Sequence, residues 1–127
     1  MKTLSFNYRG LAGSHKRMSL KRLVDNTSPD IILLQETLGD RDSVIKLLEG
    51  VCVGWRFEAM DAQGRLGGLA VGWRRGGLVV GWRRRVCNCV NLWGFDSGMG
   101  AEFFFEELGR VLTIININGP YNNRASY

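Results

Sequence analysis

Cysteine and histidine are too few and too scattered in this sequence to build the usual metal or disulfide motifs. Cys52, Cys87 and Cys89 make an odd count with no C-x-x-C spacing, and His15 is the lone histidine among 127 residues. A structural zinc site needs four ligands of this kind, and a disulfide framework needs an even set. Cys87 and Cys89 are expected on opposite faces of a strand, and all three are read as reduced thiols of a nuclear or cytoplasmic protein. His15 falls in a basic run at a loop or first helical turn and carries no catalytic assignment. No stretch approaches the roughly 18 apolar residues of a membrane span. Met1 is followed by Lys2 and a short alternating run rather than by the apolar core of a signal peptide. No partner is therefore expected in the membrane, and no small-molecule cofactor is indicated.

What is present describes one globular domain over residues 1–127, with 45% hydrophobic and 23% charged residues. The formal charge of +5 permits an anionic partner such as nucleic acid without requiring one. Part of it comes from a repeat: Gly67–Arg75 (GGLAVGWRR) returns as Gly76–Arg84 (GGLVVGWRR), with Ala70 replaced by Val79. Nine residues are too few for the unit of a 20–50-residue solenoid.

The periodicities along the chain alternate in type. Thr3–Asn7 places Leu4 and Phe6 at strand spacing. From Ser14 to about Asn26, Met18, Leu20, Leu23 and Val24 make an apolar helical face opposite Lys16, Arg17, Lys21 and Arg22. Ile31–Leu34 is a continuous apolar run, the mark of a strand buried on both faces, and it ends abruptly on Gln35, Glu36 and Thr37. Asp42 is expected to cap a helix over Ser43–Glu49, stopped by Gly50. Strands are expected at Trp55–Met60, Leu69–Trp73, Leu78–Trp82, Val86–Val90 and Val111–Asn116, while Gly98–Arg110 fits either strand or helix. This order gives an α/β or α+β class with packed sheets. If Arg74–Gly77 turns the chain, the two repeat copies form an antiparallel hairpin with Trp73 and Trp82 on its arms.

Polar residues at two strand ends stand out. Asn7 closes the first strand, and Glu36 closes the second; adjacent strands would bring amide and carboxylate into one pocket. A carboxylate there needs a partner or a cation, and Mg²⁺ prefers such oxygen ligands.

Four segments, LSFNYRGLAG (Leu4–Gly13), SPDIILLQET (Ser28–Thr37), GRLGGLAVGW (Gly64–Trp73) and LTIININGPYNNR (Leu112–Arg124), occur in an order that resembles the first half of an endonuclease/exonuclease/phosphatase domain. This is the superfamily of abasic-site endonucleases and DNase I-type nucleases, and the wording is most similar to the endonuclease of plant LINE-type retrotransposon proteins. The resemblance implies the N-terminal part of a two-sheet α/β sandwich, here truncated, cleaving DNA phosphodiesters with Mg²⁺. It implies that Asn7 organises the metal and phosphate pocket and that Glu36 is the metal ligand, so Asn7 and Glu36 are the catalytic candidates. Arg9 stands where abasic-site enzymes often carry Asp, as is common in the retrotransposon branch. The family's Tyr position is Asn118 here, with Tyr121 three residues later, and the family's Asp/Asn and Asp-His pairs belong to the second half. The fragment is therefore expected to be inactive, and the repeat to be the scar of an in-frame duplication. The alternative is a non-catalytic basic module that binds nucleic acid through the Arg/Trp-rich hairpin 67–85.

Overall fold

The structure is a computed structural model that describes residues 2–10, 14–61, 67–74, 78–79, 82–83, 87–95, 98–106 and 108–117. Strand β1 (Thr3–Asn7) leads to helix α1 (Ser14–Thr27) and strand β2 (Ile31–Gln35). The two strands pair in parallel, with Asn7 opposite Gln35, and a parallel pair needs a crossover of this kind. Helix α2 (Arg41–Val51) then leads to β3 (Trp55–Met60) and β4 (Leu69–Arg74). The first sheet has the order β1-β2-β4-β3, with β4 antiparallel to both neighbours.

Two cores flank this sheet. Ile32, Leu34, Phe57, Ala59 and Ala70 face Leu20 and Val24 of α1 and Val44 and Leu48 of α2. Ile31, Leu33, Leu69 and Val71 face the other way, against a second antiparallel sheet. That sheet contains β7 (Cys87–Phe95), β8 (Gly98–Phe105) and β9 (Arg110–Ile117), with Phe103, Phe105, Met99 and Ala101 pointing inward. The expected continuous burial of Ile31–Leu34 is thus met, because both faces of β2 are covered. The fold is the α/β class expected, two sheets packed face to face with helices on one outer side.

Several local expectations are corrected. The N-cap of α2 is Asp40, not Asp42: its carboxylate accepts from Ser43 N at 3.0 Å, and the helix begins two residues earlier than Ser43. The same bond holds the Asp40 carboxyl below its ordinary pKa. Gly50 does not stop the helix; the chain leaves it at Cys52 and turns at Gly54, whose φ is +88°. Met18 lies exposed rather than on the packed face of α1. Gly98–Phe105 resolves as strand. Cys87 and Cys89 both face the second core, because residues two apart on a strand share a face.

The repeat departs furthest from expectation. The first copy supplies β4, a central strand, instead of one arm of a hairpin. The second copy forms its own short ladder, β5 (Leu78–Val79) with β6 (Trp82–Arg83), and not the single strand Leu78–Trp82. Trp73 and Trp82 are therefore not on two arms of one turn.

Candidate functional site

The two strand ends meet at one edge of the sandwich. In parallel strands, C-terminal ends point the same way, so Asn7 and Gln35 finish side by side. The ladder runs on past the strands: Tyr8 N donates to Gln35 O at 2.8 Å, and Gly10 N donates to Glu36 O at 2.7 Å. Glu36 then turns with φ at +55°, a left-handed backbone that a side chain seldom adopts. Its carboxylate Oε2 accepts a hydrogen bond from Asn7 Nδ2. The structure therefore joins the two residues singled out from the sequence.

Glycine makes this turn possible. A Cβ at Gly67 would lie 3.1 Å from Glu36 Cα and 3.2 Å from its Cγ, and Leu38 N donates to Gly67 O at 2.5 Å. The start of β4 thus supports the Glu36 loop from behind. Such left-handed residues cost roughly 1–3 kcal/mol each and persist only where neighbours impose them.

Asn116 is the residue that reading by motif passed over. It is 2% exposed at the end of β9, and its amide spans both sheets. Nδ2 donates to Leu34 O at 3.2 Å and to Ala70 O at 3.0 Å, while Oδ1 accepts from Gln35 Nε2 at 2.9 Å. Gln35 Nε2 also donates to Ser5 Oγ at 3.2 Å. A signal was present: Leu112, Ile114 and Asn116 continue one period-2 face, so a polar side chain fell on the inward side and needed partners there.

Beside Asn7 opens a cleft of about 250 Å³ lined by Phe6, Asn7, Tyr8, Arg9, His15, Lys16 and Ser19. Lys16 Nζ donates to Arg9 O at 2.7 Å, tying the start of α1 to the loop after β1. His15 is exposed on the rim of this cleft and takes no part in the Asn7–Glu36 contact. Tyr8 and Thr37, the residues following Asn7 and Glu36, are buried with hydroxyls that find no partner among the described residues. Burial pushes the Tyr8 phenol up, with Arg17 opposing that shift. Asn118 and Tyr121 lie outside the described residues.

The donor set suits a hard cation. Asn7 Nδ2 is spent on Glu36, which leaves the Asn7 amide oxygen and the remaining carboxylate oxygen at adjacent strand ends. Among the described residues no three acidic, histidine or cysteine side chains gather around a point. Mg²⁺, which keeps most of its water and takes one or two protein oxygens, fits such a sparse pair better than zinc does.

Of the Arg/Trp-rich hairpin 67–85, residues 75–77, 80–81 and 84–85 lie outside the described residues. The Trp73 ring packs 5.6 Å from Phe103. Arg74 donates from Nε to Pro29 O at 2.9 Å and lies 5.0 Å over the Trp55 ring. One ring and one arginine of the supposed binding face are thus committed to packing.

Residues 4–124 match the family described as Endonuclease/Exonuclease/phosphatase. No curated protein matches the chain by sequence. Among solved structures, the AP endonuclease LMAP from Leishmania major superposes with a TM-score of 0.61 at 15% identity, over 92% of this chain and 39% of that one. The APE2 catalytic domain of Xenopus laevis gives 0.60 at 17% identity, over 97% of this chain and 46% of that one. ANGEL2, a 2',3'-cyclic phosphatase, gives 0.55 at 14% identity, over 95% and 41%. These likenesses concern the fold, and the chain spans less than half the length of each structure. No helix among the described residues is long and apolar enough to cross a membrane.

Proposed function

This chain belongs to the Endonuclease/Exonuclease/phosphatase family, and from that premise we propose that Asn7 and Glu36 form the cation-holding part of a site for DNA phosphodiester hydrolysis. The observation that carries the proposal is the Asn7–Glu36 hydrogen bond at the ends of paired parallel strands. DNA is the substrate of choice because two of the three solved structures named above are AP endonucleases. The Asn7 amide oxygen and Glu36 carboxylate would hold Mg²⁺, which when bound supplies charge to polarise a phosphoryl oxygen and steady a leaving oxygen. In this arrangement Asn7 orients Glu36, and Gly67 and Asn116 hold the strand ends that present both.

Residues 1–127 alone are proposed to be inactive. Hydrolysis also needs a group that orients and deprotonates water, and none of the described side chains near Glu36 is placed for that. Parts that act as a unit lose most of the rate when one is missing. The retrotransposon reading of the chain's origin rests on Arg9 in the N-x-R-G-L wording and on the in-frame repeat. A genomic locus with no reverse-transcriptase coding sequence or remnant nearby would count against that origin.

The test has two arms. Mn²⁺ binding to the 127-residue protein, followed by relaxation enhancement, should be weak and should fall at least tenfold in Glu36→Gln. Plasmid nicking with Mg²⁺ should stay at background in both proteins. Equal Mn²⁺ binding by the two proteins would remove Glu36 from the site. Nicking that vanishes with Glu36→Gln would instead establish a working enzyme and overturn the proposed inactivity.

A further inference from the structure

We infer that the second repeat copy, Gly76–Arg84, can replace the first in the β4 position, so that the chain holds two registers of one central strand. The β4 position makes several demands, and the second copy meets nearly all of them nine residues later. At Gly72 any side chain would strike the Phe57 ring; its counterpart is Gly81. Gly67, where a Cβ would crowd Glu36 at 3.1 Å, corresponds to Gly76, and Gly68, with φ at +90°, corresponds to Gly77. The packed pair Leu69 and Val71 has Leu78 and Val80 as equivalents. Trp73, against Phe103, has Trp82; Arg74, bonded to Pro29 O, has Arg83.

The single difference explains which copy is seen. Ala70 is fully buried in the first core, between Leu34 on β2 and Ala59 on β3. Its counterpart Val79 adds two methyl groups there, and overpacking a filled core is unfavourable. The copy with the smaller residue therefore occupies the sheet. Among the described residues the second copy makes a ladder of two residues on each side, and isolated two-stranded ribbons are marginal in water.

Exchange has a consequence at the functional edge. In the observed register the connection from β3 to β4 is residues 61–68, and the surplus repeat lies between β4 and β7, in residues 75–86. In the second register β4 would be Leu78–Arg83, its link to β7 would shrink to 84–86, and the β3–β4 connection would grow to 61–77. That connection joins the strand ends at the edge that carries Asn7 and Glu36. The exchange therefore moves Trp73 and Arg74 out of the sheet and into the lengthened connection at this edge, which also contains Arg75. Rings and arginines of this kind favour single-stranded or distorted nucleic acid.

The test uses Gly72→Val and Gly81→Val in the 127-residue chain, singly and together, and Gly72→Val in a chain lacking residues 76–84. Segment-resolved amide exchange and urea unfolding are the readouts. Gly81→Val should leave slow exchange on 69–74. Gly72→Val should remain folded, with slow exchange transferred to 78–83. The double variant, and Gly72→Val in the deleted chain, should lose cooperative unfolding. If Gly72→Val abolishes folding in the full chain as it does in the deleted chain, the inference is overturned. Slow exchange that stays on 69–74 in Gly72→Val would overturn it too. So would failure of the deletion alone to fold, because that chain has the short β4–β7 link that the second register requires.

Discussion

The two sheets share one inner core yet differ on their outer faces. The central strands of the first sheet are covered on both sides, by helices and by the second sheet, so Ile31–Leu34 of β2 and the first four residues of β4 are buried without a break. The outer face of the second sheet carries Trp93, Phe95, Val111, Ile115 and Ile117, each between 37% and 54% exposed. The candidate site belongs to the doubly covered sheet. Held on both faces, β2 has little freedom to shift, which is what the left-handed Glu36 at its end requires.

Substitutions can break or sharpen this contrast. The largest effect is expected for Leu34→Ala, which empties a fully buried position in β2; urea unfolding should show a loss of about 2–5 kcal/mol. Asn116→Leu should follow. It keeps the branched outline of the side chain but removes the bonds to the Leu34 and Ala70 carbonyls and to the Gln35 amide. A loss of about 1–3 kcal/mol is expected, with weaker protection at the amides of residues 34–37. If Asn116→Leu were neutral, the bridge between the sheets would be only geometric.

The two cores also each hold a buried thiol, and pH compares them. Burial pushes Cys52 up to about 11 and Cys87 up to about 12, from an ordinary value of 9.0. Because the folded values are raised, the favourable effect of keeping these thiols neutral is complete below pH 9. It is lost as pH climbs, since the unfolded chain ionises first. Stability should therefore fall from pH 9 through about 11 to 12. Cys52→Ala should reduce that slope between pH 9 and about 11, and Cys87→Ala should reduce it over the whole range up to about 12. The smallest effect is expected on the bare face, where Ile115→Thr should stay within about 0.5 kcal/mol. A loss there as large as that of Leu34→Ala would mean that the outer face is covered after all.

The sequence was most informative where one pattern had one explanation. Ile31–Leu34 could be continuous only if covered on both faces, and Asn7 and Glu36 could meet only if their strands ran in parallel. It was least informative where identical residues met different surroundings. The two repeat copies cannot be told apart by local propensity, and only Ala70 against Val79, judged inside a core, separates them. The Asp40 cap was missed because Asp42 offers the same chemistry two residues on, and the choice depends on where Arg41 N finds the Asp61 carboxylate. Asn116 lies two residues before the family's Tyr position, and its inward register is legible from Leu112 and Ile114 on the same face.

The Asn116 bridge also sets a clock on biosynthesis. Its acceptors at Leu34 and Ala70 leave the ribosome 82 and 46 residues ahead of it. At roughly 5–20 residues per second, the Leu34 carbonyl waits on the order of 4–16 s for this donor. During that interval a nascent chain can already close β1, β2 and both helices, but its apolar inner face has no second sheet to meet. A chaperone that shields sheet surfaces would have its window of action there, before β9 emerges.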